Sequence, residues 1–402
     1  MKVLQAIILA AGKGTRLWPL TSTRPKPLLK VVGKTILEQK LDVLSALVKE
    51  VILVVGYKGQ SIKDLIGEKY KNLEIKYVWQ KEPKGTGDAI LKAQNLLKEK
   101  FLLLYADDIY LKEDIEKCLK KFPSLSVKEV ENPASFGVII PEKDYVKDFI
   151  EKPKEFVGNL VSTGILSLDK SILKEKIEKS ERGEYELANF LREFIKKRKL
   201  YFVKTKEWIP ISYPWNLLET NEFFLKKIKK RIEGKIEKYC QILGPVIVQK
   251  GTVIKSGTYI EGPVFIGANC QIGPNCYLRK FTSIGNNCKI GQAVEIKNSI
   301  IGDGTKISHL SYIGDSIIGE NCNLGAGTIA ANLRFDGKTI KTEVKGEIID
   351  TKRKKFGCVL GDNTKTGINI SLMPGVLIGS GCIIGPGSIV FKNVKDNMTF
   401  LK

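Results

Sequence analysis

A chain of 402 residues with 43% apolar and 27% charged side chains has the make-up of an ordinary globular protein and room for two or three domains. No run approaches the ~18 apolar residues of a membrane span, and the eight cysteines are scattered without Cys-x-x-Cys pairs, which excludes a spanning helix, a disulfide scaffold and a zinc module. The formal net charge of +22 comes from lysines spread along stretches such as Leu225–Ile232 without interleaved aromatics, so it reads as a solvated surface and not as a nucleic-acid face.

The chain opens on Met1-Lys-Val-Leu4, the start of a strand and not a signal peptide; together with unpaired thiols this sets a cytoplasmic expectation. The apolar run Val3–Leu9 predicts a buried parallel strand. Leu9-Ala-Ala-Gly-Lys-Gly-Thr-Arg-Leu17 and Arg24-Pro-Lys-Pro27 follow it. Gly12 and Gly14 let backbone N–H groups approach a polyanion, while Lys13 and Arg16 bring charge to the same place. The pattern is neither a P-loop nor a dinucleotide fingerprint, and on local grounds it is a phosphate cradle or a plain basic turn. Lys26 between two prolines is a cation on a stiff support.

Strand-like runs at Ala6–Leu9, Val51–Val55, Ile75–Trp79 and Phe101–Tyr105 alternate with helical patterns at Ile36–Leu47 and Ala89–Leu97. Such alternation predicts a mostly parallel sheet with ligands at the carboxyl ends of its strands. Polar clusters fall where that rule puts them. Gln80 follows one strand and offers both a donor and an acceptor to a nucleobase edge. Asp107-Asp108 follows another, where a carboxylate suits Mg²⁺ or caps a turn. Phe149-Ile-Glu-Lys-Pro153 and Val161-Ser-Thr-Gly-Ile165 could hold a sugar by its hydroxyls.

These motifs resemble the sugar-1-phosphate nucleotidylyltransferases over about the first 230 residues. The resemblance implies a Rossmann-like α/β domain that joins a nucleoside triphosphate to a sugar-1-phosphate and releases pyrophosphate. By position, Ala11, Gly12, Lys13, Gly14, Thr15 and Arg16 would cradle the triphosphate, and Gln80, Gly85 and Thr86 the base. Lys26 would serve both substrates' phosphates, Gly137, Glu151, Lys152 and Thr163 would face the sugar, and Asp107 would hold Mg²⁺. One departure stands out. Where that family carries a second metal carboxylate in Trp-x-Asp-x-Gly, this chain reads Trp208-Ile-Pro210, leaving Asn216 as a substitute oxygen donor.

Beyond residue 220 a basic stretch over 221–240 predicts a helical linker between a domain at 1–220 and another at 241–402. In the latter, Val248, Ile254, Ile260, Ile266, Ile272, Leu278, Ile284, Ile290 and Ile296 recur every six residues, and Leu360, Thr366, Leu372, Ile378, Ile384 and Val390 resume the series. A six-residue period is the mark of a parallel β-helix, with aliphatics inside the prism and glycine or asparagine at its corners. Cys270 and Cys288 should then stack as reduced thiols. A polar insertion between about Ala331 and Phe356 is dispensable to the coil and points to a site. His309, the chain's one histidine, falls near a corner with its side chain outward, and histidine is the residue type suited to proton transfer near neutrality.

His309-Leu-Ser-Tyr-Ile-Gly-Asp315 and Asn323-Leu-Gly-Ala-Gly-Thr-Ile329 resemble the acetyltransferase half of the bacterial enzyme that makes UDP-N-acetylglucosamine. Ala331-Asn-Leu-Arg-Phe-Asp-Gly-Lys338 and the two-part plan resemble archaeal bifunctional sugar-1-phosphate nucleotidylyltransferase/acetyltransferases more closely. The resemblance implies a left-handed coil, a homotrimer and acetyl-CoA as co-substrate. His309 would take a proton from the attacking amine. Arg279, Lys297, Lys338 and Lys341 would hold the sugar phosphate, and Tyr312, Asn323 and Asn332 would orient sugar and carbonyl. Two rival readings remain: a nucleotidylyltransferase whose coil only oligomerises, and a non-catalytic assembly subunit of the exchange-factor type. Neither a nucleic-acid nor a membrane partner is expected on the favoured reading.

Overall fold

The computed structural model describes residues 5–174, 178–180 and 183–401. The chain forms two compact units, and the division is not a single cut. One unit consists of Met1–Lys13 and Ile36–Pro210, the other of Gly14–Thr35 and Ile211–Lys402.

In the first unit a ten-stranded sheet is built on four parallel strands, Lys100–Tyr105, Gln5–Ala10, Glu50–Val55 and Leu73–Trp79, in that order. The predicted first run begins at Val3, which lies outside the described residues. Glu50–Val55 is buried along its whole length, as a strand covered on both faces must be, and this is why it reads as an unbroken aliphatic run. Helices Ile36–Leu44, Gly59–Ile66 and Thr86–Ala93 alternate with these strands. Leu160–Asp169 adds antiparallel to Lys100–Tyr105, and Ser124–Glu129 pairs beyond it with a register slip between Ser162 and Leu166. One core joins Ile7, Ile52 and Leu103 of the sheet to Phe190, Leu191 and Phe194 of helix Leu187–Lys197.

The second unit is a parallel β-helix of three sheets with eight, nine and eight strands. Val248, Ile266, Ile284, Ile301, Ile318, Leu360 and Ile378 stack down one inner face. The period is not constant. Stacked positions are 18 residues apart at Ala268 and Asn286 but 17 apart at Asn286 and Asp303. The stretch from Ser316 to Cys358 spans 42 because the insertion loops out there. It forms an antiparallel hairpin, Lys341–Val344 with Glu347–Asp350. The shortened coils shift the core phase to Ile301 and Ile318, which is why the six-residue series breaks after Ile296. Corners are turned by left-handed residues, chiefly asparagines such as Asn269, Asn287, Asn321 and Asn363 and glycines such as Gly251 and Gly257.

The expected helical linker over 221–240 is corrected by the structure. The helix is Asn216–Leu225, and the coil's strands already begin at Arg231–Ile232 and Lys235–Ile236. Its charged side chains point outward, while Ile236 and Ile242 pack against the core of the prism. All eight cysteines are free, and Cys270 lies under Cys288, whose backbone N–H points at its sulfur (3.4 Å). Burial pushes the thiols of Cys118, Cys322 and Cys358 up to about 12. The native protein at pH 8 is therefore expected to take up iodoacetamide first at half-exposed Cys240, with the other seven protected until denaturant is added. Intact-mass counting checks this. No helix among the described residues is long and apolar enough to cross a membrane.

Candidate active sites

The first candidate lies at the carboxyl edge of the four parallel strands, where the chain leaves them at Ala11, Gly56, Gln80 and Ala106. Gly56 is required there: a Cβ would sit 2.8 Å from the carbonyl oxygens of both Ala11 and Gln80. Tyr57 N–H donates to the Ala11 carbonyl (3.3 Å) and Ala106 N–H to that of Leu9 (3.1 Å). Gly12 and Lys13 are exposed on this rim. Gln80 is buried, with its amide nitrogen donating to the Gly85 carbonyl (3.0 Å) and Asp88 (2.7 Å). These bonds leave the amide's carbonyl oxygen as its recognition edge. Gly85 has φ +104, and a Cβ there would come within 2.3 Å of the Tyr185 carbonyl oxygen; Thr86 Oγ1 accepts the Leu187 N–H (2.9 Å).

Asp107 and Asp108 follow strand Lys100–Tyr105. The charges of Glu151, Asp107, Asp108 and Glu186 surround the Tyr105 hydroxyl, and burial followed by those charges holds it far above the usual phenol range. Asp108 Oδ2 accepts from Trp208 Nε1 (3.2 Å) and is 3.4 Å from the Tyr110 hydroxyl. Pro210 sits directly opposite Asp108 in a short antiparallel pair, so the position lacking a carboxylate is the cross-strand neighbour of one that has it. Gly137 pairs with Glu151, and a Cβ there would come within 3.0 Å of the Glu151 carboxylate. Lys152, exposed and left-handed, reaches Glu151 at 3.6 Å. Thr163 differs from its expected role: it is buried and its hydroxyl is bonded to Ser126 inside the sheet, at the register slip.

The rest of the signature belongs to the second unit. Gly14 is left-handed and packs so closely that a Cβ would lie 3.1 Å from Lys26 Cβ. Thr21 donates to the Gly14 carbonyl (3.0 Å), closing the segment on itself. Lys26 opens a single turn, Lys26–Leu28, with Pro25 extended before it. Thr15 and Arg16 are exposed, and the Arg16 guanidinium lies over the Tyr213 ring at 5.6 Å. Tyr213 stacks on Trp215 (4.6 Å), which meets Phe356 edge-on (5.9 Å). Asn216 does not present its oxygen as a metal donor. Oδ1 accepts the N–H groups of Ser212 (3.1 Å) and Tyr213 (2.9 Å), and the side chain caps the turn into its helix.

The second candidate is on the coil. His309 ends strand Lys306–His309 exposed, just before left-handed Leu310 turns the corner. Past that corner Tyr312 hydroxyl is 3.2 Å from Asn332 Nδ2, which also donates to Asp315 (2.6 Å). Buried Asp315 further accepts from Asn298 (2.7 Å) and pairs with Lys297 (3.5 Å). Arg279 pairs with Glu295 (2.8 Å), whose hydrogen bond raises the guanidinium's pKa; burial raises that of Tyr312. Lys297, Tyr312 and Asn332 are thus joined through Asp315, a residue not singled out from the sequence. Its signal was present, since Gly314-Asp315 repeats the glycine–acid step seen at Gly302-Asp303, here in a buried, left-handed residue. His309, Asn323, Lys338 and Lys341 are exposed and outside that network; Asn323 pairs with Lys306 on the neighbouring strand.

Comparison with known proteins covers both units. The nucleotidyl transferase family matches residues 5–227, the GMPPB C-terminal domain 260–366, and the bacterial transferase hexapeptide (six repeats) 357–392, in keeping with a left-handed coil. A solved UDP-glucose pyrophosphorylase complexed with UDP-glucose shares the fold of 56% of this chain (99% of its own) at 24% identity and TM-score 0.50. The "bifunctional protein GlmU" of Methanocaldococcus jannaschii is 42% identical, covering 98% of this chain and 96% of that one. A "bifunctional sugar-1-phosphate nucleotidylyltransferase/acetyltransferase" of Sulfurisphaera tokodaii is 40% identical over 97% of this chain and 98% of its own. Likeness of this extent, running through both units, makes the chain a member of the bifunctional sugar-1-phosphate nucleotidylyltransferase/acetyltransferase family.

Proposed function

We propose that the chain carries two transferase activities, acetylating an amino-sugar-1-phosphate from acetyl-CoA and joining a sugar-1-phosphate to a nucleoside triphosphate. The observation that supports this best is the pairing, on one chain, of a glycine-and-carboxylate edge at four strand ends with an exposed histidine one corner before Tyr312 of the Asp315 network. The two groups of residues suit different chemistries, and the bifunctional relatives match through both.

In nucleotidyl transfer a phosphate oxygen of the sugar-1-phosphate attacks the α-phosphorus, the bond to the β-phosphate breaks, and pyrophosphate leaves with the electron pair. Ala11, Gly12, Lys13, Gly14, Thr15 and Arg16 bind the triphosphate, and Lys26 offsets charge as it develops. Gln80 accepts a hydrogen bond through its free amide edge, with Gly85 and Thr86 beside it. That edge matches the N3–H of uracil or thymine and not cytosine, which has an acceptor there. Glu151 and Lys152, with Gly137 clearing the space, take the sugar, and Thr163 supports them through the sheet. Among the described residues no group of three or more His, Cys, Asp or Glu could hold a metal. Mg²⁺ typically needs only one or two carboxylates plus substrate phosphates, so the hard oxygens of Asp107 fit it, with Asp108 alongside. When bound it supplies charge neutralisation at the phosphates.

In acetyl transfer the free amine attacks the thioester carbonyl of acetyl-CoA. His309 accepts the proton lost from nitrogen, the C–S bond breaks with its electron pair going to sulfur, and the proton passes to that sulfur so that CoA leaves as its thiol. Arg279, Lys297, Lys338 and Lys341 hold the sugar phosphate, while Tyr312, Asn323 and Asn332 orient sugar and carbonyl in a homotrimer. A panel of nucleoside triphosphates and sugar-1-phosphates, amino and non-amino, tests the reading. UTP or dTTP is expected to give pyrophosphate, and amino-sugar-1-phosphates to give CoA thiol. Neither product from any pair, together with salt-sensitive RNA binding, would leave only the assembly role.

A further inference from the structure

The coil carries a column of acids that serves two masters at once. After Gly302, Gly319 and Gly361 on successive turns come Asp303, Glu320 and Asp362, and Asp396 follows beyond Ser380. In each aspartate one oxygen closes the coil: Oδ1 of Asp303 accepts Asn286 N–H (2.9 Å), that of Asp362 accepts Glu320 N–H (2.7 Å), and that of Asp396 accepts Ser380 N–H (2.6 Å). The other oxygen faces the segment 14–35. Asp303 Oδ2 meets Lys30 (2.7 Å), Asp362 Oδ2 meets Arg24 (2.5 Å) and Thr23, and Asp396 Oδ2 meets Trp18 Nε1 (3.1 Å) and the Ser22 hydroxyl (3.0 Å), which also reaches Oδ1 (3.1 Å). Glu320 binds Arg24 and lies 3.4 Å from Lys30. Four coil steps at the ~4.8 Å strand spacing make this a track on the order of 19 Å long.

The fastenings lie close in sequence to the two cations assigned to nucleotidyl transfer. Trp18 and Ser22 follow Arg16, and Arg24 precedes Lys26 across Pro25, where a rigid φ transmits the anchor's position. Burial pulls the Arg24 and Lys30 pKa values down, and the facing carboxylates more than offset it, so both stay charged. Beneath the pairs Gly33, left-handed, lies against Phe265, where a Cβ would come within 2.4 Å of the ring.

We propose that Asp303, Glu320, Asp362 and Asp396 are positioning residues for nucleotidyl transfer, holding the segment that bears Arg16 and Lys26 in its working shape. The proposal rests on the nucleotidyl-transfer reading above. It assigns the coil a role in the chemistry of the other activity, beyond acetyl transfer and assembly.

The test is the Glu320→Gln/Asp362→Asn double variant in the full chain. Asparagine keeps an oxygen for the corner bond, as Asn286 already does for Ala268 N–H (2.9 Å), so the coil stays closed. Pyrophosphate release is expected to fall about 10²-fold in kcat, the scale of a ~1 Å misplacement, and the KM for the triphosphate to rise as well, because Gly14, Thr15 and Arg16 ride on the same segment. Thiol release from acetyl-CoA is expected to be unchanged. Hydrogen exchange should rise in peptides covering 14–35 and not in those of the coil. The charge-keeping Glu320→Asp variant should retain most of the rate, and Asp396→Asn should lose part of it. Unchanged pyrophosphate release despite raised exchange would overturn the proposal alone. No pyrophosphate from the unaltered protein with any substrate pair would overturn the underlying reading and the proposal with it. Loss of both activities together would overturn it too, by making the acids general supports of the fold.

Discussion

His309→Ala is expected to lower thiol release from acetyl-CoA by about 10³-fold while leaving pyrophosphate release within about twofold. General-base catalysis contributes typically ~10²–10⁴-fold, and His309 is the chain's one histidine. The magnitude follows from the site's make-up. On the reading proposed above, Lys297, Asn332 and Tyr312, tied to one another through Asp315, hold and orient, and the proton falls to His309. His309 is exposed, its backbone is held by the Ser311 hydroxyl at its carbonyl (2.7 Å), and alanine there disturbs no core contact. Stability should therefore stay within about 0.5 kcal/mol, as for a surface substitution. Parallel assays of free thiol and pyrophosphate, with a melting curve, decide the matter. Unchanged thiol release would remove His309 as the base.

The second large effect is on the other product. Lys26→Ala and Asp107→Ala are each expected to cut pyrophosphate release by about 10²–10³-fold, the loss typical when one group facing developing charge is removed. Thiol release should hold. Lys26 sits between prolines in a single turn with its Cβ against Gly14, so its ammonium is delivered on a support with little freedom. The two variants should differ in one respect. Added Mg²⁺ should partly restore Asp107→Ala, by mass action on a weakened site, and should do nothing for Lys26→Ala. Loss of both products in either variant would signal misfolding.

Much of this was legible in the sequence because the relevant signals are local. Four aliphatic runs marked the parallel strands, and turn residues after them marked the edge where Ala11, Gln80 and Asp107 gather. The six-residue period named the coil, and cysteine stacking followed from spacing alone. What escaped depended on which partner each polar side chain takes, near or far. The spacing of Ser212, Tyr213 and Asn216 does not say that the two backbone N–H groups use the amide oxygen, nor does the Thr163 neighbourhood say that Ser126 takes its hydroxyl. The 17-residue coils hid the phase of the acids, so Asp303 and Glu320 did not appear as a column. A basic stretch after residue 225 looked helical because lysine favours helices, but the outward half of a β-helix strand accepts lysine equally well.

The division of the chain carries a consequence for its birth. Trp18 is grasped by Asp396, 378 residues later. At translation speeds of ~5–20 residues per second, roughly 20–75 s separate the two on the ribosome. Until then the nascent signature segment lacks its last anchor, so a chain clipped before Asp396 would hold residues 14–35 through Asp303, Glu320 and Asp362 alone and is expected to lose part of its pyrophosphate release.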